Sequence, residues 1–337
     1  MKNIKEIDVL CVGEVLVDFI GHQSGVQINK TRDYHRYLGG SPTNVAMNSA
    51  RLGLNPVLVA TVGDDGFGEY IFNRLEEVSV NTNYIKRIDK KPTSVIFVSR
   101  TASTPDFIPF READYCITED QIPKDLLSKT NIFHTTCFAL SKNPAQSTIL
   151  SKAEEAFNLG CKLSIDVNYA NKLWESQEEA IKVIKAYCKF DPLVKISADD
   201  MSRLFEKELP HEQIFEFFHA EGVNIVCLTL GSKGVKLSQK GKGVIQLPAV
   251  KIDVVMDATG AGDAFLGGYL AAKLDSQAYP TVLDCLRLAT WVAGHKIQGA
   301  GARTTLPTAF QRDAELGTQN PAATLRGLIT GFGETSC

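Results

Sequence analysis

A glycine-rich segment in the C-terminal third of the chain combines an anion site with a carboxylate. Residues 256–265 read Met-Asp-Ala-Thr-Gly-Ala-Gly-Asp-Ala-Phe, follow an apolar strand-like run and open a helical pattern. The backbone N–H groups of Gly260, Ala261 and Gly262 would face outward at the positive end of that helix, which suits a phosphate in transfer. Asp263, ionised in the first turn, could orient a hydroxyl nucleophile and take its proton late. The other interpretation is that Asp263 only supports the helix N-terminus.

A second glycine-rich segment precedes another helical pattern. Residues 38–44 read Leu-Gly-Gly-Ser-Pro-Thr-Asn, with Ser41 predicted as the N-cap and Pro42 as the first helical residue. Paired glycines let backbone amides approach a hydroxyl-rich ligand, and the Asn44 side chain can both donate and accept hydrogen bonds. The pattern fits a site for such a ligand, and it fits equally well a tight loop that caps a helix.

The composition excludes several function classes. The 337 residues are 44% hydrophobic and 22% charged, and 36 Lys+Arg against 39 Asp+Glu leave a net charge of −3, so we expect neither nucleic acid nor a membrane as partner. Acidic residues interrupt the N-terminal apolar stretch, which predicts a cytoplasmic protein. The eight cysteines form no Cys-x-x-Cys pair. No P-loop, dinucleotide fingerprint, His-Glu-x-x-His or Gly-x-Ser-x-Gly motif occurs, which excludes those enzyme classes.

The elements that must position these segments form an α/β pattern. Short β-branched apolar runs alternate with helical patterns, which is typical of a mostly parallel sheet covered on both faces. The predicted strands are residues 9–12, 57–61, 132–135, 163–166, 193–197 and 225–229. The predicted helices are residues 43–52, 68–78, 145–159, 177–188, 212–220, 262–274 and 281–297. No linker divides the chain, so residues 1–337 are predicted to form a single domain.

Two stretches depart from the alternation. Residues 14–40 and 84–112 are extended without intervening helices, which predicts a small β-sheet lid over a site. The exposed edge of such a lid would need cover, and a homodimer through the lid would supply it, although the sequence does not decide this. The tail after Pro307 is predicted as surface helix and coil.

Taken together, these segments resemble the ribokinase-like, or PfkB, family of carbohydrate kinases over nearly the whole chain. The two family signatures are matched by Gly39, Gly40, Asn44, Gly53 and Gly63 and by residues 257–263. The resemblance implies a ribokinase-like three-layer α/β/α sandwich with a mostly parallel central sheet and a small β-sheet lid. It also implies an enzyme that transfers the γ-phosphate of ATP to a hydroxyl group of a monosaccharide, with ATP and Mg²⁺ as cofactors.

The resemblance also implies site residues. Asp263 matches the family's catalytic base, and the amides of Gly260, Ala261 and Gly262 match its anion hole. The residues matching sugar-binding positions are Asp18, Gly39, Gly40, Asn44, Arg111 and Asp263. The residues matching nucleotide-binding positions are Ser197, Asp200, Thr229, Gly231, Gly234, Gly262 and Thr290. Ser197 and Asp200 stand where many members hold Mg²⁺ through water. Positions that bind a monovalent cation such as K⁺ in many members are matched by Asp257, Thr259, Gly301 and Thr305.

The substrate is less closely defined. Residues 39–53 and 110–114 look most like members that act on fructose or on keto-deoxy sugar acids, such as 5-dehydro-2-deoxygluconate and 2-keto-3-deoxygluconate. Arg111 matches an arginine that reaches the sugar from the lid, unless it makes only an exposed structural salt bridge. Ala170 replaces the arginine of a related Asp-x-Asn-x-Arg stretch, which removes one carboxylate partner and favours a neutral ketose.

Two other functions remain open at this point. A nucleoside kinase of the same fold would need base-stacking rings in the lid, which Tyr34, Tyr37 and Phe107 could supply. A non-catalytic sugar-binding regulatory protein would explain the altered residues at positions 197, 200 and 170, although the intact Asp263 argues against it.

Overall fold

The computed structural model describes residues 5–100, 106–299 and 305–329 of the chain. The strands are β1 (Ile7–Val12), β2 (Leu16–Ser24), β3 (Tyr34–Gly39), β4 (Pro56–Gly63), β5 (Asn81–Ile88), β6 (Val95–Arg100), β7 (Phe107–Phe110), β8 (Thr130–Thr136), β9 (Lys162–Asp166), β10 (Leu193–Ser197), β11 (Ile225–Thr229), β12 (Val235–Gln239) and β13 (Gly243–Leu247). The helices are α1 (Ser41–Arg51), α2 (Gly66–Glu76), α3 (Lys124–Ser128), α4 (Ala145–Asn158), α5 (Gln177–Cys188), α6 (Ala198–Phe205), α7 (His211–Ala220), α8 (Ala261–Leu274), α9 (Val282–Lys296), α10 (Ala309–Leu316) and α11 (Pro321–Leu328).

Nine strands form the central sheet, in the order β13-β12-β11-β10-β9-β8-β1-β4-β5. Seven of them run parallel, and β12 and β13 close one edge as an antiparallel hairpin. Both faces of the sheet are buried. In β1, Val9 and Cys11 enter one core while Leu10 and Val12 enter the other, because successive side chains point to opposite faces.

Helices cover the sheet on both sides. Apolar residues of α1, α2, α8 and α9 join the first core, and those of α3 to α7 join the second. This is the predicted α/β fold, with three layers and a mostly parallel central sheet. Within the three described stretches, none of the helices is both long enough and apolar enough to cross a bilayer.

The small sheet has the order β3-β2-β6-β7. Strand β2 pairs antiparallel with β3 and parallel with β6, and β7 pairs antiparallel with β6. Leu16 and Ile96 of this sheet pack against Phe138 of the main body, so one face of the lid is seated on the body.

All six predicted strands and all seven predicted helices form, each end within two residues of the expected position. Three features differed from the expectations. Residues 84–88, assigned to the lid, lie in β5 at the edge of the main sheet, where a half-exposed strand alternates as a lid strand does. The β12–β13 hairpin was missed. The apolar run that includes Val254 and Val255 forms no strand and is exposed. The tail forms the surface helices α10 and α11, as expected, with Leu316 and Leu325 buried in the first core and Phe310 and Leu328 exposed.

Candidate active site

Helix α8 carries the predicted base as a buried residue in its first turn. Gly260 is the N-cap with a left-handed backbone (φ 76°), and Asp263 lies in the first turn with 9% of its surface exposed. Small residues let α8 pack closely on its neighbours, since a Cβ at Gly267 would lie 2.6 Å from Cβ of Asn48, and one at Gly268 would lie 3.0 Å from Cα of Ala289. The helix is therefore fixed between α1 and α9.

Helix α1 brings the first glycine-rich segment to the same point. The expectation that Ser41 is the N-cap was wrong, because the helix begins at Ser41 and Gly40 is the N-cap. The hydroxyl group of Ser41 instead donates to Oδ1 of Asp263 at 2.6 Å, and Nδ2 of Asn44 donates to Oδ2 at 2.8 Å. Both carboxylate oxygens of the predicted base are thus held by α1.

The environment of Asp263 tunes its basicity. Burial raises the pKa of Asp263, while the hydrogen bonds from Ser41 and Asn44 and the charges of Lys195 and Lys296 oppose that rise. A carboxylate with a raised pKa holds a transferred proton better, which suits an acceptor for a sugar hydroxyl proton.

The predicted anion hole is only partly available. The amide of Ala261 donates to the carbonyl oxygen of Ala258 at 3.1 Å, so this group already closes a turn. The hydrogen bonds of the described residues leave the amides of Gly260 and Gly262 for a ligand. Two of the three predicted N–H donors at the start of α8 therefore remain available to a ligand.

A buried ion pair lies under this helix start, and sequence reasoning missed it. Nζ of Lys195 lies 3.0 Å from each carboxylate oxygen of Asp166, and both side chains are almost fully buried. A Cβ at Gly262 would lie 2.6 Å from Nζ of Lys195, so a larger residue here would displace the ammonium group. Burial alone would lower the pKa of Lys195, but Asp166 and Asp200 hold it above its ordinary value. The signal in the sequence is a lysine inside the apolar run of β10.

Glu14 is a second residue of the candidate site without a sequence prediction. Its Oε1 accepts from the amide of Ser41 at 3.0 Å and its Oε2 accepts from Oγ1 of Thr136 at 2.9 Å. A Cβ at Gly40 (φ 102°) would lie 2.3 Å from the carbonyl oxygen of Glu14, so the glycine is required here. Burial raises the pKa of Glu14 to about 8, although its hydrogen bonds oppose this. Glu14 therefore sets the position of the Gly40–Ser41 turn.

The lid residues predicted to bind sugar lie near that turn. Asp18 of β2 lies against Gly39, where a Cβ would be 2.3 Å from Oδ2 of Asp18. Arg111 donates from Nε and Nη2 to Oδ2 of Asp114 at 2.8 and 2.6 Å and lies over the ring of Phe138. Only 7% of the Arg111 side chain is exposed, so its salt bridge is buried rather than exposed.

The predicted nucleotide residues follow two neighbouring strands. Ser197 and Thr229 are register partners at the carboxyl ends of β10 and β11. Gly231 and Gly234, in the turn after β11, both have positive φ angles. A Cβ at Gly234 would lie 2.0 Å from the carbonyl oxygen of Leu247. On α9, the hydroxyl of Thr290 donates to the carbonyl of its own helix one turn earlier. The adenine role predicted for Thr290 stays a prediction.

The predicted magnesium residues are tied to each other. Ser197 and Asp200 form the capping box of α6, and Arg203 donates to Oδ1 of Asp200 at 2.5 Å. No cluster of three or more metal-ligating side chains occurs among the residues that the structure describes. Mg²⁺ in kinases keeps several waters and binds one or two carboxylates plus substrate phosphates. Both oxygens of Asp200 already have protein partners, so the magnesium role of Ser197 and Asp200 stays a prediction.

The residues predicted for a monovalent cation surround the loop before α8. The amide of Thr259 donates to Oδ1 of Asp257 at 2.9 Å, and Oγ1 of Thr305 donates to the carbonyl oxygen of Lys296 at 3.0 Å. Gly301 lies outside the described residues. The side chain of Lys296, which sequence reasoning did not single out, donates to the carbonyl oxygen of Asp257 at 2.9 Å.

Comparison with known proteins is consistent with this geometry. Residues 6–309 match the profile described as pfkB family carbohydrate kinase. A protein named ATP-dependent 6-phosphofructokinase from Thermoanaerobacterium thermosaccharolyticum is 34% identical over 303 residues, which cover 90% of this chain and 92% of that protein. The fructokinase structure of Halothermothrix orenii has a TM-score of 0.75 and 32% identity, covering 84% of this chain and 96% of the other. An ATP-bound sugar kinase of Pyrococcus horikoshii has a TM-score of 0.79 and 28% identity, covering 94% and 99%.

Proposed function

The chain belongs to the pfkB family of carbohydrate kinases, and we propose that it transfers the γ-phosphate of ATP to a hydroxyl group of a free ketose, with fructose as the first candidate. One observation carries the proposal: Ser41 and Asn44 of one glycine-rich segment hydrogen-bond Asp263 of the other. The two segments predicted to bind sugar and phosphate thus meet at a single carboxylate.

The chemistry follows from these positions. Phosphoryl transfer asks the protein mainly to position the reactants and to neutralise charge. Asp263 accepts the proton of the sugar hydroxyl, and Ser41 and Asn44 keep its oxygens in place. The amides of Gly260 and Gly262 receive the charge that develops on the phosphoryl oxygens, with the Lys195 ammonium group beneath them. When bound, Mg²⁺ would supply further charge neutralisation, and Ser197 and Asp200 are the residues that would hold it through water.

The lid excludes water from the site of phosphoryl transfer. Asp18 lies at the Gly39 turn on the same strand as Leu16, which is seated on Phe138. A sugar below this sheet would meet Asp18 from one side and Asp263 from the other. Excluding water in this way strengthens the charge interactions around the transferred group and prevents its loss to water.

The charge pattern favours a neutral sugar. Arg111 is paired with Asp114, Lys195 with Asp166, and the lid-facing Lys172 with Asp106 at 2.5 Å. A carboxylate or phosphate on the substrate would have to compete with these protein carboxylates. Together with Ala170, this pairing argues against keto-deoxy sugar acids.

Fructose 6-phosphate is a second candidate. The relative from T. thermosaccharolyticum carries the name of a 6-phosphofructokinase, and the Lys172–Asp106 pair is about half exposed. A substrate phosphate could displace Asp106 from Lys172 at lower cost than it could displace a buried partner.

A coupled assay of ADP formation tests the proposal. The panel is fructose, fructose 6-phosphate, 5-dehydro-2-deoxygluconate, 2-keto-3-deoxygluconate, ribose and adenosine. We expect the highest kcat/KM with fructose. The highest value with fructose 6-phosphate, lowered selectively by Lys172→Ala, would replace the first candidate by the second. A sugar acid or adenosine as best substrate, or no ADP formation above the ATP-only rate, would contradict the proposal.

A second copy of this chain is the partner we propose for the outer face of the lid. Ile108 and Phe110 of β7 are 43% and 55% exposed there. Phe110 also lines an apolar groove of about 860 Å³, together with Phe67 and Phe97, among others. A homodimer through the lid would cover this face and the sheet edge.

A further inference from the structure

Behind the predicted anion hole, the side chain of Lys296 binds the loop that the family resemblance implied would hold a monovalent cation. Lys296 is the last residue of α9, and its side chain is fully buried. Its Nζ atom donates to the carbonyl oxygen of Asp257 at 2.9 Å and to that of Gly299 at 3.4 Å. The ammonium group therefore lies among main-chain carbonyl oxygens rather than in solvent.

The groups around this lysine are those matched to the monovalent cation. Asp257 supplies a carbonyl oxygen to Nζ, and its Oδ1 is bound by the amide of Thr259. Thr305 hydrogen-bonds the main-chain carbonyl of Lys296 itself. Of the four predicted cation residues, Asp257 thus binds the ammonium group directly, Thr259 and Thr305 bind Asp257 and the Lys296 main chain, and Gly301 lies outside the described residues.

An ammonium group can replace K⁺ in such surroundings. Main-chain carbonyl oxygens are the ligands that K⁺ takes in proteins. A lysine ammonium group carries the same single charge, is compact and has three N–H donors for such oxygens. Two cations at the same carbonyl oxygens would repel each other strongly in a buried place. The residues present therefore do not fit an added K⁺ ion while Lys296 keeps its position.

The position of Lys296 links it to the reaction. Asp257, whose carbonyl oxygen it binds, lies three residues before Gly260, the N-cap of α8. The charge of Lys296 also acts on Asp263, where it opposes the rise in the pKa of that carboxyl group. Burial lowers the pKa of Lys296, and the charges of Asp257 and Asp263 oppose this.

We propose that the ammonium group of Lys296 is a built-in monovalent cation that fixes the loop before α8, so that this kinase works without added K⁺. The proposal rests on the proposed kinase function and assigns Lys296 as a positioning residue. It replaces the K⁺ ion that the family resemblance implied for this site.

Activity and thermal unfolding, each with and without K⁺, test the proposal. In buffer with tetramethylammonium as the only monovalent cation, we expect K⁺ to change the wild-type rate less than about twofold. For Lys296→Ala, we expect a loss of about tenfold or more, because the loop that aligns the anion hole is released. Added K⁺ or NH₄⁺ should restore part of this loss. Lys273→Ala, an exposed lysine of α8, is the matched control and should behave as the wild type.

Thermal unfolding gives a readout that needs no catalysis. K⁺ should raise the Tm of Lys296→Ala, because it fills the vacated carbonyl site, and should leave the Tm of the wild type and of Lys273→Ala unchanged. If Lys296→Ala does not fold, Lys296→Gln takes its place in the same measurements.

Two results would overturn the proposal. One is activation of the wild type by K⁺ of several-fold or more. The other is a Lys296 variant whose activity and Tm are both indifferent to K⁺. If the wild type forms no ADP with any sugar, the proposed function fails, but the Tm comparison still decides whether Lys296 fills a cation site.

Discussion

The hydroxyl group of Ser41 donates a hydrogen bond to Oδ1 of Asp263 at 2.6 Å, although 222 positions separate the two residues in the chain. A serine at the start of a helix usually caps that helix, and here it holds a carboxylate of another helix instead. Asn44, one turn further along α1, holds the other oxygen. The orientation of Asp263 is therefore set by the segment proposed to bind the sugar.

Asp263→Asn should lower kcat by about 10²–10⁴-fold, because the amide cannot accept the proton of the sugar hydroxyl. Binding of ATP should change little, since the amides of Gly260 and Gly262 remain. Steady-state kinetics with the best sugar and calorimetric titration with ATP measure the two effects. Asp253→Asn, an exposed aspartate on the preceding loop, is the control. A near-normal kcat in Asp263→Asn would remove the role assigned to this residue.

Glu14→Gln should change how stability depends on pH. Burial raises the pKa of Glu14 from 4.5 to about 8 in the folded protein. Protonated Glu14 therefore contributes stability in full below pH 4.5, and this contribution is lost as the pH rises towards 8. The side chain of the glutamine variant does not ionise, so this variant does not lose that stability as the pH rises.

Thermal unfolding between pH 5 and pH 9 measures the effect. The Tm of Glu14→Gln minus that of the wild type should increase with pH and level off above pH 8. Glu76→Gln, an exposed glutamate at the end of α2, should show no such trend. Parallel curves for Glu14→Gln and the wild type would show that Glu14 ionises as an ordinary glutamate.

Lys195→Met should lower the free energy of unfolding by about 3–5 kcal/mol, because it leaves Asp166 buried without its partner. The double variant Lys195→Met/Asp166→Leu should lose much less than the sum of the two single losses, since it leaves no unpaired buried charge. Denaturant unfolding of the four proteins gives the comparison. Strictly additive losses would mean that the two side chains do not interact. Activity should fall in all three variants, because the charge under Gly262 is removed or left unbalanced.

Gly40→Ala should raise the KM for the sugar and lower kcat/KM. Its Cβ would lie 2.3 Å from the carbonyl oxygen of Glu14, and its φ of 102° is unfavourable for alanine, so the turn before Ser41 must move. Gly25→Ala separates backbone strain from collision, because Gly25 has a φ of 76° but no atom within 4 Å of a Cβ. Equal kinetic effects of the two substitutions would argue against a specific role of the Gly40 turn.

Phe110→Asp should convert a dimer into monomers, because it places a charge on the exposed apolar face of the lid. Light scattering coupled to size-exclusion chromatography measures the mass of the particle. Phe157→Asp is the control, since Phe157 is 45% exposed but lies on α4, away from the lid. A wild-type protein that is monomeric at all accessible concentrations would exclude the proposed dimer.

The secondary structure could be predicted from the sequence where a residue pattern is compatible with only one type of element. The central strands are continuous apolar runs because both their faces are buried, and amphipathic helices such as α5 have a clear helical period. The residue pattern of an edge strand does not identify the sheet to which the strand belongs. Strand β5 is half exposed, so its pattern is the same whether it extends the main sheet or a lid.

The charged residues of the candidate site could be identified from the sequence only in part. Asp263 and Asn44 could be identified because they lie in glycine-rich segments whose spacing is informative. Glu14, Lys195 and Lys296 are single charges in apolar stretches, and nothing local shows whether such a charge reaches solvent or is buried. Their partners are distant in sequence, as with Lys296 and Asp257, so only the packed structure reveals them.

The central position of β1 has a consequence for synthesis on the ribosome. Ile7 pairs with Thr130 of β8, so one edge of β1 stays uncovered until the chain as far as β8 has been made. During that interval the nascent chain presents a bare apolar strand, which is the kind of segment that aggregates or recruits a chaperone. Yield in the cell should therefore depend on translation speed and chaperone supply over the first 136 residues, at the end of β8.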